Sequence, residues 1–188
     1  MAISFRDVYH PPLAGFTASA PDAAVIGVIG DDGAGKSTLL RVAAELAPPA
    51  GARLLTPASE LDFSLVDLLL LDHALAPHDP LVRTKAVMAI ERLRRQGATV
   101  LVVSHEDGLL RGLCDEVWWI NDGKLAARGA PAEVIRKYRH HAARRLRAWG
   151  ESSLSPLSPA MRRGDGRAQV LSVETLGGDG RPTMVWQS

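Results

Sequence analysis

Gly30-Asp31-Asp32-Gly33-Ala34-Gly35-Lys36-Ser37 is the stretch of sequence that decides the fold. It fits the pattern G-x-x-x-x-G-K-[ST], in which glycines let the backbone turn its N–H groups inward around phosphate groups. An apolar, β-branched segment precedes it at residues 23–29, and a good helical sequence follows at residues 37–46. A strand, a glycine-rich loop and a helix in this order predict a site for a nucleoside triphosphate, most simply ATP with Mg²⁺.

The loop gives its polar residues separate roles. Lys36 is expected to neutralise the β and γ phosphates, and the Ser37 hydroxyl is expected to hold Mg²⁺. The helix that begins near Lys36 adds the positive end of its dipole. The alternative, a glycine-rich turn with an incidental lysine, does not account for the flanking strand and helix. The residues predicted to contact the nucleotide are Gly30, Asp31, Asp32, Gly33, Ala34, Gly35, Lys36, Ser37 and Thr38.

A second buried strand supplies a carboxylate. Residues 65–71 form an apolar run that only Asp67 interrupts, as expected of a strand covered on both faces of a parallel sheet. The run ends at Asp72, where a carboxylate would meet the metal across from Ser37. Asp72 is therefore the second predicted Mg²⁺ ligand, and the alternative roles are a helix cap or an ordinary loop aspartate.

The rest of the chain continues the alternation of helices and strands. Asp79 can cap a helix, and a third buried strand follows at residues 99–103. After a short helix, residues 116–127 read as a hairpin around Asn121-Asp122-Gly123. The pattern predicts an α/β protein with the three-layer fold of P-loop NTPases and a mostly parallel sheet.

Two of the predicted helices carry many basic residues. Arg83 lies on the helix that Asp79 caps, and Arg145 lies on a last helix that Pro131 opens. The apolar positions recur at helical spacing on the other faces of both helices. Both arginines are therefore predicted to face solvent.

Bulk composition narrows the class of protein. The 188 residues are 46% hydrophobic and carry a formal net charge of +1, which suits one compact domain with a tail and argues against a nucleic-acid partner. Cys114 is the only cysteine, so an internal disulfide is excluded. The apolar runs are too short to span a bilayer. The chain is expected to be cytoplasmic and not itself membrane-spanning.

Composition also suggests how the chain is divided. We predict a nucleotide-binding domain at residues 1–150 and a serine- and proline-rich linker at residues 151–163. Residues 164–188 read as a short β-hairpin tail. A lone hairpin is marginally stable without a partner surface.

Taken together, these motifs resemble the ATP-binding cassette (ABC) ATPases. The phosphate loop of that family commonly reads like residues 33–40 of this chain, and its Walker B strand reads like residues 68–72. A further strand of the family ends in Ser-His, the switch histidine that contacts the γ-phosphate, and Ser104-His105 matches it. The resemblance therefore implies a catalytic role for His105.

The downstream sequence is similar to ATPase subunits of exporters for O-antigen and teichoic acid polysaccharides. The similarity covers residues 114–125 and 129–134. In the tail, residues 163–170 and 179–183 resemble the opening of their C-terminal sugar-binding β-domain. The resemblance implies ATP and Mg²⁺ as cofactors. It also implies a membrane permease or a complete ABC ATPase subunit as partner, and a location in the cytoplasm or at the inner face of the cell membrane.

Two departures from the family concern hydrolysis. The interval between Ser37 and Asp72 is too short for the Q-loop glutamine and for the helical subdomain with its L-S-G-G-Q signature. The fold is therefore expected to lack this subdomain, and a homodimer could not form the usual composite site. His73 stands where the family has its catalytic glutamate. A histidine can accept a proton but lacks the fixed negative charge that polarises an attacking water, so hydrolysis is expected to be weak or absent.

Two smaller features also match the family. Tyr9, or its neighbour His10, could stack on adenine, as an aromatic residue near the first strand does in these ATPases. The alternative for Tyr9 is a half-buried edge aromatic. Asp79-Pro80 matches the end of the family's D-loop.

Three functions are compatible with these motifs. The first is a trimmed ABC subunit that binds ATP beside a transporter. The second is a non-catalytic, nucleotide-dependent binding module whose basic last helix docks on an acidic surface. The third is a small-molecule kinase of the phosphate-loop class, for which the sequence shows neither an acceptor pocket nor an arginine-bearing lid.

Overall fold

The computed structural model describes residues 2–48 and 51–153. Within these residues the elements follow in the order β1 Ile3–His10, β2 Leu13–Ala20, β3 Val25–Ile29, α1 Lys36–Leu46, β4 Ala52–Leu55, β5 Leu68–Asp72, α2 Pro80–Arg95, β6 Thr99–Val103, α3 Asp107–Leu113, β7 Glu116–Asn121, β8 Lys124–Gly129 and α4 Pro131–Ser153. The predicted alternation of strands and helices is confirmed.

A six-stranded sheet forms the centre of the molecule, with its strands in the order β4-β5-β6-β3-β7-β8. Every neighbouring pair is parallel except β7 and β8, which form the predicted antiparallel hairpin. The β1–β2 hairpin makes a separate two-stranded sheet. The mostly parallel α/β architecture predicted from the sequence is therefore the observed one.

Two apolar layers cover the sheet, because successive side chains of a strand point to opposite faces. Val25, Leu69 and Val100 belong to the layer that contains residues from α2, α3 and α4. Ile26 and Leu68 belong to the layer that contains residues from α1 and the β1–β2 hairpin. Strands β3, β5 and β6 are thus buried on both faces, which explains their continuous apolar sequences.

The interval between α1 and β5 lies where the ABC ATPases are expected to carry their helical subdomain. In its described part, the chain forms the strand β4 and turns, and it contains no helix. This agrees with the predicted absence of a helical subdomain. β4 itself was not predicted, and β5 begins at Leu68 rather than at Leu65, whose side chain is 71% exposed.

The last helix continues into the predicted linker. α4 spans Pro131–Ser153, so it includes the first three positions of the segment predicted as residues 151–163. The remainder of that segment and the predicted β tail at residues 164–188 lie outside the described residues. No helix in the described part of the chain is long and apolar enough to cross a membrane. The elements that position the candidate site belong to the compact unit that ends at Leu146.

Candidate nucleotide site

Three neighbouring strands end at one edge of the sheet, and the predicted site residues follow them. β3 leads into the phosphate loop, β5 ends at Asp72, and β6 leads into Ser104-His105. β6 lies between the other two, with Val103 in register with both Val28 and Asp72. Parallel strands bring their carboxyl ends to the same edge, which is where open α/β sheets bind ligands.

The backbone of the phosphate loop requires glycine at two positions. Gly30 has φ 153°, and a Cβ there would lie 2.3 Å from the carbonyl oxygen of Ile120. Gly35 has φ 108°, and a Cβ there would lie 2.7 Å from a methyl group of Leu13. The loop is thus pressed between β7 on one side and the β1–β2 turn on the other, and only glycine fits.

The helix that follows the loop presents unprotected N–H groups. α1 begins at Lys36, its N-cap residue Gly35 is left-handed, and no side chain caps the helix. Its first turn holds no acidic residue. The first N–H groups of a helix carry partial positive charge and have no partner within the helix. An anion such as phosphate can supply the missing acceptors.

The Lys36 side chain lies inside the phosphate loop. Its ammonium donates hydrogen bonds to the carbonyl oxygens of Gly30, at 2.9 Å, and Asp31, at 2.8 Å, and it lies 3.8 Å from the Asp32 carboxylate. Burial lowers the pKa of Lys36, while Asp32, Asp31 and Asp72 oppose this shift. The Asp32 carboxylate is exposed and lies near the limit of ion-pair distance, and phosphate oxygens could replace the two carbonyls as acceptors.

The residues at the strand edge fit a magnesium ion. Oδ1 of Asp72 is buried and has no hydrogen-bond partner, which is unusual for a carboxylate oxygen. The described residues contain no group of three or more His, Cys, Asp or Glu side chains that could hold a metal by themselves. Mg²⁺ commonly uses one or two protein ligands together with substrate phosphates. Asp72 and the Ser37 hydroxyl are suited to hold the ion in that way.

The two predicted catalytic histidines lie against each other. The rings of His73 and His105 are stacked, with centroids 4.6 Å apart and an interplanar angle of 28°. The backbone of His73 is left-handed at φ 53°, and its N–H donates to the Val103 carbonyl at 3.1 Å. Burial, followed by the nearby His105 and Lys36, lowers the pKa of His73. The structure therefore brings both histidines to Asp72 and favours neutral His73 at neutral pH.

Tyr9 lies apart from the loop on the β1–β2 hairpin. Its side chain is 77% exposed, so it is not the half-buried aromatic of the alternative interpretation. Its hydroxyl lies 3.0 Å from the position of a Cβ on Gly15. The turn of the same hairpin places Leu13 against Gly35. The exposed ring is therefore available for stacking, and the adenine contact stays a prediction.

Two residues of α4 contact the loop, and this contact was not predicted from the sequence. The Tyr138 hydroxyl donates to Oδ1 of Asp31 at 3.1 Å, and the Arg145 guanidinium donates to Oδ2 of Asp31. Arg145 is 62% exposed, in line with the prediction that it faces solvent, but its contact with the loop was not predicted. Tyr138 and Arg145 are two helical turns apart and thus share a face of α4. This spacing is the one feature of the sequence that links them. Trp119 packs on the Tyr138 ring at a centroid distance of 5.9 Å.

Arg83 joins the segment after His73 to the segment after His105. Its guanidinium donates to the carbonyl oxygens of Leu75, at 3.0 Å, and Ala76, at 2.8 Å. It also donates to the Glu106 carboxylate at 2.8 Å. The prediction that Arg83 faces solvent is wrong, because the helix turns this side chain toward the strand edge. Asp79, in contrast, caps α2 as predicted, accepting from the N–H groups of the second and third helical residues.

Comparison with known proteins identifies the relatives of the chain. No family model matches it. It is 35% identical over 72 residues to the teichoic acids export ATP-binding protein TagH of Listeria monocytogenes, covering 38% of this chain and 22% of that protein. It is 32% identical over 114 residues to the O-antigen export system ATP-binding protein RfbB of Myxococcus xanthus, covering 61% of this chain and 25% of that protein. These matches span about a quarter of each relative's length.

Solved structures show the same fold. The ATP-binding subunit of an ABC transporter superposes with a TM-score of 0.60 over 72% of this chain and 92% of that chain, at 13% identity. A bacterial Atm1-family ABC exporter with ATP bound superposes with a TM-score of 0.63 over 77% of this chain and 42% of that chain, also at 13% identity. The homologues of this chain are thus ATP-binding subunits of teichoic acid and O-antigen exporters, and its fold is that of the ABC ATPase domain.

Proposed function

We propose that this chain is an ATP-binding subunit related to ABC-type polysaccharide exporters, with weak or no ATP hydrolysis of its own. The observation that carries the proposal is the buried ammonium of Lys36, which donates to two carbonyl oxygens of the glycine loop and lies 3.8 Å from the exposed Asp32 carboxylate. A lysine in that position gains charged acceptors when a triphosphate enters. The capless first turn of α1 supports the same ligand.

Binding would use the loop and the strand edge together. Phosphate oxygens would replace the Gly30 and Asp31 carbonyls as acceptors for Lys36, and the N–H groups at the start of α1 would bind the same phosphates. Ser37 and Asp72 would hold Mg²⁺, which neutralises charge on the β and γ phosphates when bound. Tyr9 would contact the base from the exposed side of the hairpin.

The strand edge supports weak hydrolysis at most. A general base must accept a proton from the attacking water, and its efficiency depends on its charge and its position. His73 occupies the position after Asp72, where its ring stacks on His105 and burial disfavours its charged form. His105 would contact the γ-phosphate. Neither neutral imidazole supplies the negative charge that a glutamate would bring.

The proposed function also includes a membrane permease and a complete ABC subunit as partners. The names of the relatives connect them with export of teichoic acids and O-antigen. We therefore place this chain in the cytoplasm, at the inner face of the membrane beside a permease. Because the described interval between α1 and β5 contains no helix, a complete ABC subunit would supply the signature loop in trans.

One observation favours a second function, a nucleotide-dependent binding module without catalysis. The outer face of α4 carries Arg136, Lys137 and Arg144, all exposed, and none forms an ion pair within the described residues. Such a face can dock on an acidic surface. The two functions share the nucleotide site and differ in whether any ATP is turned over.

Calorimetric titration of the whole chain with ATP, with and without Mg²⁺, tests the proposal. We expect binding that Mg²⁺ strengthens, and a melting temperature that rises with ATP concentration. Phosphate release should stay near background and should be unaffected by His73→Ala. Absence of binding at millimolar ATP would refute both functions. Robust Mg²⁺-dependent release, abolished by Lys36→Ala, would instead show a conventional ATPase.

A further inference from the structure

We propose that the inner face of α4 is a positioning element for the phosphate loop, in which Tyr138 and Arg145 hold the Asp31 carboxylate and thereby set the loop's affinity for a triphosphate. This inference rests on the proposed nucleotide function and adds its control. Both side chains bond to the Asp31 carboxylate. They would therefore act through the loop, as positioning residues.

The contact involves both oxygens of one carboxylate. Tyr138 donates to Oδ1 and Arg145 donates to Oδ2, so Asp31 is held in a fixed orientation. The backbone of the same residue is equally constrained, because its carbonyl oxygen accepts from Lys36 at 2.8 Å and from the Ala34 N–H at 3.2 Å. Holding Asp31 in place from α4 therefore also restrains the first turn of the loop. The N–H groups that would bind phosphate come directly after this turn.

The face of α4 that provides this contact is itself anchored to the sheet. Trp119 packs on Tyr138 at 5.9 Å and on His141 at 5.0 Å between ring centroids. Trp119 is in register with Ile29, the residue immediately before the loop. Strand β7 therefore contacts the loop region in two ways. It pairs with β3, which leads into the loop, and it packs on α4, which contacts Asp31.

The outer side of the loop has room for this contact to change. A groove of about 410 Å³ lies beside it, lined by residues that include Asp32, Asn121 and Arg145. The groove borders the loop beside Arg145, so this side of the Asp31 contact is open. Burial and the hydrogen bond to Asp31 raise the pKa of Tyr138 to about 12, and at neutral pH the phenol is a protonated donor, as an ordinary tyrosine also is.

Charge gives the contact a second effect on binding. Asp31 and Asp32 would both repel a triphosphate that carries several negative charges. Pairing with Arg145 offsets the charge of Asp31. The Arg145 side chain is 62% exposed, and ion pairs at such exposure contribute little to global stability. Disruption should therefore alter the loop while leaving the unfolding of the domain nearly unchanged.

The test is the double variant Tyr138→Phe/Arg145→Gln in the full chain. The matched control is Arg144→Gln, which removes the same charge from the exposed face one position away. In nucleotide-free protein, hydrogen exchange of the amides at residues 30–38 should become about tenfold faster in the double variant and stay unchanged in the control. The melting temperatures of the two variants should agree. Unchanged exchange in the double variant would overturn the proposal, whether or not ATP binds.

ATP affinity separates the effect on the loop from a direct attraction between Arg145 and phosphate. With Mg²⁺ present, the double variant should bind ATP about tenfold more weakly than wild type. In an Asp31→Ala background, which leaves neither donor a side-chain acceptor, the same two substitutions should have no further effect. An undiminished loss in that background would overturn the positioning role. If wild-type protein binds no ATP, the proposed nucleotide function fails, and loop exchange still decides the positioning role.

Discussion

The phosphate loop and the strand edge that faces it differ in how completely their polar groups are satisfied. In the loop, Lys36 has two carbonyl acceptors, and the carboxylate of Asp31 has two donors. At the edge, Asp72 has a buried oxygen without a hydrogen-bond partner, and the two histidines stack, with burial outweighing the effect of the nearby Asp72 carboxylate on the pKa of His73. We call residues 30–38 the binding half and Asp72, His73 and His105 the hydrolytic half.

The two halves would therefore depend on different chemical groups. In the proposed function, backbone geometry and side chains of this chain preorganise the binding half. In the same proposal, the hydrolytic half would need a metal ion to satisfy Asp72 and a stronger base than a neutral imidazole. Substitutions in the two halves should therefore have separable effects on binding, on the role of Mg²⁺ and on stability.

The largest effect is expected for Lys36→Ala. The variant removes the only cation inside the loop, and hydrogen bonds to charged groups contribute about 1.5–3 kcal/mol each. We expect the dissociation constant for ATP to rise about 100-fold or more in calorimetric titration. Lys124→Ala is the control, since that lysine is exposed at the start of β8. Equal losses in the two variants would show that the binding half lies elsewhere.

Asp72→Asn should remove the benefit of Mg²⁺ and little else. The amide cannot supply the charge that holds the ion, so the gain in ATP affinity on adding Mg²⁺ should fall by about tenfold. Affinity in the presence of a chelator should stay near that of wild type. Asp67→Asn, on the exposed residue before β5, is the control. A Mg²⁺ effect that survives in Asp72→Asn would remove Asp72 from the metal site.

Arg83→Gln should lower the free energy of unfolding by removing contacts beside the hydrolytic half. Arg83 and Glu106 are partly exposed, so their ion pair alone contributes little, but two backbone carbonyls also lose a donor. We expect the free energy of unfolding in urea to fall by about 1 kcal/mol. Lys85→Gln, on an exposed position of the same helix, should change it by less than half as much. The opposite ranking would mean that Arg83 is a surface residue after all.

The smallest effect concerns His73 and pH. Burial lowers the pKa of His73 in the folded state below its ordinary value of 6.5, so the unfolded chain binds more protons in that range. Stability should therefore fall as the pH drops below about 6.5. His73→Asn, which tolerates the left-handed backbone, should reduce that fall in thermal unfolding measured between pH 7.5 and 5.5. An identical pH profile in both proteins would contradict the shift.

The sequence predicted those parts of the fold that short patterns encode. Continuous apolar runs marked β5 and β6, and the glycine pattern marked the loop. The β1–β2 hairpin was missed because Asp7, with φ 48°, and register shifts between Phe5 and Tyr9 interrupt its alternation. β4 was missed because it is four residues long and mostly half-buried.

The same limit applies to the site. Lys36, Asp72 and His105 each follow a buried strand, so local pattern and strand order were enough to bring them together. The contact between Arg145 and Asp31 joins residues 114 positions apart, and no local pattern encodes it. Arg83 was misplaced for a similar reason, because its partners lie on loops whose positions depend on the whole sheet.

The order of strands in the sheet has a consequence for how the chain acquires its site. β3 comes early in the chain, yet both of its neighbours, β6 and β7, come late. The Val25 N–H is bonded to the Asp115 carboxylate, 90 residues further on. Such distant pairing makes folding slow, and a growing chain cannot enclose β3 until β7 has been synthesised. ATP could therefore assist only the final stage of folding, by stabilising a domain that is already assembled.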